Sequence, residues 1–145
     1  NILGIIEEIG ELAHAILKQK QGIRVNEDHT AKIKDAVADV MIFLFGYIRK
    51  KKLKINALIR ESDQLIEENE SSNLMHHLGS LSIKAGFLAR YSDKVQYLNS
   101  DVFEIIASLY LISDHFSFDF LENLNQVWEE VKQRDWSKNK ETGTI

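Results

Sequence analysis

Cysteine and proline are both absent from the 145-residue chain. Without cysteine there can be no disulfide, no zinc–thiolate centre and no thiol nucleophile. The lack of thiols also fits a reducing compartment. Without proline nothing forces a helix to stop, so turns must come from Gly, Asn, Ser and Asp. Long hydrophobic runs are missing too. The longest apolar stretch, residues 36–48, is too short to span a bilayer and contains Asp39. Nor is there an excess of positive charge. The formal net charge is −4, which removes any general electrostatic attraction to a nucleic acid polymer or an anionic membrane. No secretory leader is legible. Together these absences lead to the expectation of a cytoplasmic protein with neither a membrane nor a nucleic acid as partner.

The residues that are present have an ordinary globular composition, 44% apolar and 28% charged. The length suits one domain with a proper core. Ile2, Ile5, Ile6, Ile9, Leu12, Ala13 and Ile16 recur at helical spacing and predict a first helix ending near Gly22. A polar connection follows, and Thr30 is the expected N-cap of a second helix reaching about Lys50. A third, more polar helix is expected over 56–68. Ser72 and Ser100 are expected to cap a fourth and a fifth, and Ser117 to start a sixth. Leu121, Leu124, Val127 and Val131 would form the apolar face of the sixth helix, with Trp128 packed beside them in the core. No segment alternates with period two, so no sheet is expected. The expectation is an all-α bundle of five to six helices, one domain over 1–145.

Sliding the chain by 69 residues lays the first two helices on the fourth and fifth. Gly10 falls on Gly79, Leu12 on Leu81, Asp35 on Glu104 and Ala38 on Ala107, all without a gap. Apolar positions follow the same offset, Val37 on Ile106 and Val40 on Leu109. This constant register predicts an internal duplication. The acids do not survive it: Glu7, Glu8 and Glu11 become His76, His77 and Ser80, and Asp39 becomes Ser108. Residues 1–69 would be the acidic half. Residues 70–145 would be a degenerate copy with a polar tail.

Carboxylates cluster in the first half. On the first helix Glu11 shares a face with Glu7 and Glu8, and on the second Asp35 shares one with Asp39. Asp39 is the only charge within the apolar stretch 36–48. A helix apolar on every side is normally buried all round, so this carboxylate needs a proton, a cationic partner or a metal ion. Four or five carboxylates converging from two helices repel one another unless cations sit among them. Oxygen ligands alone point to Mg²⁺ or Mn²⁺. A plainer reading stands beside this one: Glu7, Glu8 and Glu11 lie opposite their helix's Ile stripe, where a solvated face would carry them.

The segments IIEEIGEL (5–12) and KDAVADVMIFL (34–44), with the connection between them, resemble the MazG-like all-α nucleoside triphosphate pyrophosphohydrolases, which include the dimeric dUTPases. The resemblance is good over residues 2–48 and looser beyond. It implies Glu8 and Glu11 as Mg²⁺ ligands through an EExxE motif, with Asp39 as the terminal acid of an ExxD motif. This chain departs from ExxD, having Ala36 where the first acid belongs and an acid at Asp35 instead. The resemblance also implies a homodimer that cleaves a (deoxy)nucleoside triphosphate to the monophosphate and pyrophosphate. Glu7, beside the ligands, is the candidate to orient or deprotonate the attacking water. Arg134 and Lys138 in the basic tail are candidates to touch the triphosphate. A homologue that binds without turnover, and a bundle whose acids are merely solvated, are the rival readings.

Weaker signals fit packing or solvation better. His14 completes an ExxH with Glu11, but di-iron bundles need two such units. The adjacent His76 and His77 would point apart and stay partly exposed. The basic run from Arg49 to Lys54 suits a helix C-terminus.

Overall fold

The structure, a computed structural model, describes residues 1–91 and 95–134. It is all-helical over those residues. The helices are α1 (Ile2–Gln21), α2 (His29–Lys50), α3 (Ile55–Asn69), α4 (Leu74–Arg90), α5 (Val95–His115) and α6 (Phe120–Val131). None of them is long and apolar enough to cross a membrane.

Local chemistry sets the helix ends. Gly22 closes α1 at φ +65°, a left-handed conformation that a side chain would strain. Asp28, not Thr30, caps α2, its Oδ1 accepting from the Ala31 N–H at 3.0 Å. Asn73 takes the place expected of Ser72 on α4, accepting from the His76 N–H at 2.9 Å. Asp119 does the same for α6 in place of Ser117, accepting from Glu122 at 2.8 Å. In each case the side chain one or two residues from the expected cap reaches the free N–H three positions on. Helix α5 begins at Val95, so Ser100 lies inside it and not at its N-cap.

Two helical hairpins, α1–α2 and α4–α5, form the centre of the molecule. They meet through α1 against α4 and α2 against α5, around a core that includes Leu12, Val37, Leu44, Leu81, Leu88, Ile105 and Leu109. The third helix of each half then crosses over: α3 packs on α5, and α6 packs on α2. The anchoring bonds are reciprocal as well. Ser62 on α3 donates to the Phe103 carbonyl at 3.0 Å, and the Asn123 amide on α6 donates to the Lys34 carbonyl at 2.8 Å. Lys34 and Phe103 stand 69 residues apart, the offset seen in the sequence.

Helix α2 is not buried all round. Ala36, Val37, Ala38, Val40, Met41, Leu44, Tyr47 and Ile48 are buried, yet Ile42 and Phe43 are partly open and Phe45 is 39% exposed. Two core assignments on α6 also fail. Leu121 is 65% exposed and Trp128 is 47% exposed, because α6 meets α2 through Phe120, Asn123, Leu124 and Val127.

Candidate functional site

The Phe43 ring of α2 lies against Gly4 of α1, where a Cβ would come within 2.6 Å of it, so the glycine leaves room for that ring. The helices run antiparallel across their short connection. One turn further along α1 is Glu8, and one turn earlier along α2 is Asp39. The two carboxylates are therefore level with each other.

Their electrostatics agree with this placement. Burial first, and then Asp39, Glu7, Glu11 and Asp35, push the Glu8 carboxyl up to about 7. Asp39 is raised mainly by burial, with Asp35 adding to it and Arg134 opposing. Asp35 is raised by burial and by Glu130, against Arg134 and Lys34. Five predicted acids, Glu7, Glu8, Glu11, Asp35 and Asp39, thus share one electrostatic neighbourhood. Glu7 and Glu11 stand exposed at its rim, while Glu8 and Asp39 are partly buried.

Two members come from α6 and the residues that follow it. Arg134 was expected at the site as a triphosphate contact, and the structure sets it near Asp35 and Asp39 as a counter-charge. Glu130 was not anticipated. Its only sequence signal is its spacing of four from Arg134, and what brings it here is the crossing of α6 over α2. Lys138 lies outside the described residues, as does Trp136. Among the described residues no group of three or more His, Asp or Glu is placed to hold a metal ion. The carboxylates are neighbours without yet surrounding one point.

The equivalent place in the second half is a polar cavity of about 210 Å³. His76, His77, Ser80, Glu104 and Ser108 line it, the positions 69 residues on from Glu7, Glu8, Glu11, Asp35 and Asp39. Contrary to expectation His77 is only 4% exposed. Its burial, helped by His76, holds the imidazole below its usual range and keeps it neutral. Glu104 is paired with Lys84 at 3.0 Å. This cavity carries His and Ser at four of the five positions where the first half carries acids, and keeps an acid only at Glu104.

No protein-family model, curated protein or solved structure matches this chain.

Proposed function

We propose that the chain is a Mg²⁺-dependent nucleoside triphosphate pyrophosphohydrolase in a nucleotide house-cleaning role, with Mn²⁺ able to substitute. The single observation that carries the reading is Glu8, raised to about 7 beside Glu7 and Glu11 on its own helix and Asp39 and Asp35 on the helix packed against it. A fold does not gather partly buried acids for stability, since each ionised neighbour costs the others. The MazG-like segments 5–12 and 34–44 supply the same residues from the sequence side.

The donor chemistry fits a hard, oxygen-ligated cation. Glu8, Glu11, Asp35 and Asp39 would hold it, after side-chain rotations that bring their oxygens to one point. A bound Mg²⁺ would supply neutralisation of phosphate oxygens and a more acidic water. In this reading Glu7 would orient the attacking water and accept its proton. The oxygen bonds to the α-phosphorus, the bond between α-phosphorus and bridging oxygen breaks, and pyrophosphate leaves. In this reading Arg134, a counter-charge to Asp35 and Asp39, would turn to the triphosphate once cations take over the carboxylates.

A homodimer belongs to the same proposal. Leu3, Ile6, Gly10, Ala13 and Leu17 recur at three- and four-residue steps on an exposed face of α1, the spacing of a helix-packing seam. Met75, Gly79, Ser82 and Gly86 occupy the corresponding positions on α4. Leu3 is 78% exposed, and a second copy would cover both seams.

Pyrophosphate release from a panel of ribo- and deoxyribonucleoside triphosphates, with Mg²⁺ and with EDTA, tests the activity. Asp39→Ala should abolish metal-dependent release while leaving the circular dichroism of the helices unchanged. Full turnover by that variant would remove Asp39 from the site and sink the assignment.

A further inference from the structure

Beside the acids, α2 and α6 enclose an apolar groove of about 650 Å³, within the size range of small-molecule sites. The positions Asp35, Asp39, Ile42, Gly46 and Arg49 follow one another at four- and three-residue steps, so the acidic face of α2 continues directly as a wall of the groove. Ile42 is one turn from Asp39. From α6 come Leu121, Asn125 and Trp128, also at helical spacing. The course of α6 explains the neighbourhood: Trp128 lines the groove, whereas Glu130 and, beyond the helix end, Arg134 lie near the acids.

The lining is specific in kind. Phe45 and Trp128 each leave a large part of their rings uncovered. Asn125 is exposed and makes no hydrogen bond with a described residue, so its amide has both a donor and an acceptor to offer. Two aromatic surfaces and one uncommitted amide suit a flat ring with a polar edge better than an acyl chain, which would use no amide. The neighbouring carboxylates fix the other end of the occupant, because a cation held there attracts polyphosphate. We infer that this groove is a nucleobase subsite, in which Phe45 and Trp128 stack the base and Asn125 contacts its edge. The inference rests on the pyrophosphohydrolase reading for the placement of the phosphates.

The chain has two tryptophans, so Trp136→Phe leaves Trp128 as the only emitter. Its fluorescence is followed while nucleoside triphosphates or inorganic tripolyphosphate are added with Mg²⁺, and Mg²⁺ binding and pyrophosphate release are measured in parallel. Nucleotides should quench Trp128 saturably and tripolyphosphate should not. On the otherwise native chain, Phe45→Ala and Trp128→Leu should each raise KM for the accepted nucleotide roughly ten- to a hundredfold, with kcat little changed. Turnover with unaltered Trp128 emission and unaltered KM in both variants would overturn the subsite and spare the catalytic reading. Saturable quenching by nucleotides without Mg²⁺ binding or turnover would do the reverse. Emission that shifts with protein concentration alone would mean that a second copy fills the groove, and would also overturn the proposal.

Discussion

Replacing Glu8 by Gln should make the metal-free protein more stable at neutral and alkaline pH, although it removes a residue of the site. In the folded chain Glu8 ionises near 7, against 4.5 for an ordinary glutamate. Between those values the native state holds a proton that the unfolded chain has released. Stability is therefore fully present below pH 4.5 and is lost as pH rises through about 7. The distance between the two values corresponds to roughly 3 kcal/mol at most. Glu8 is only partly buried, and solvent screening reduces this to about 1–2 kcal/mol. Glutamine cannot ionise and avoids the penalty. Thermal melts in EDTA from pH 4 to 8.5 should show the two proteins converging at the acid end. At pH 8 the variant should melt higher by roughly 3–7 °C. Mg²⁺ should then raise the melting temperature of the native protein and leave that of Glu8→Gln nearly unmoved. A variant less stable than the native chain at pH 8, or a difference independent of pH, would refute the placement of Glu8 among carboxylates.

Asn123→Ala removes the buried bond from α6 to the Lys34 carbonyl and should cost about 1–3 kcal/mol in urea titrations. Because Glu130 on α6 and Arg134 just beyond it lie near the acids, it should also weaken Mg²⁺ binding by calorimetry; unchanged affinity would mean that α6 plays no part in the site. Gly22→Ala forces a side chain into the left-handed conformation at the end of α1 and should cost about 1 kcal/mol with activity retained.

Helix type and pairing were legible in the sequence because apolar spacing reports them directly. Asp39 was legible as an anomaly for the same reason, being a charge inside an apolar stretch. The errors concern which neighbour covers which surface. Trp128 sits at core spacing with Leu124 and Val131, yet α6 meets α2 along a line that leaves the indole at the groove's edge. His77 was expected to be partly exposed and is enclosed, on the wall of the second-half cavity. Glu130 joins the site only through the crossing of α6 over α2, which no local pattern encodes. Cap positions erred by one or two residues where Asp or Asn competed with a nearby Ser or Thr. Both kinds of side chain can accept the same N–H, and backbone geometry decides between them.

Each half's third helix is lodged on the other half, α3 on α5 and α6 on α2. Neither half closes its own core. A free three-helix unit with this packing would have to lend one helix to a twin and receive one in return. The present chain therefore has the packing that two such units joined end to end would have. In a true homodimer both acidic sites are encoded by one gene segment and change together. Fusion would separate them, so that one copy could lose its charge to His and Ser while the other kept it. The cavity around His76, His77 and Ser108 is what such a division of labour would leave behind.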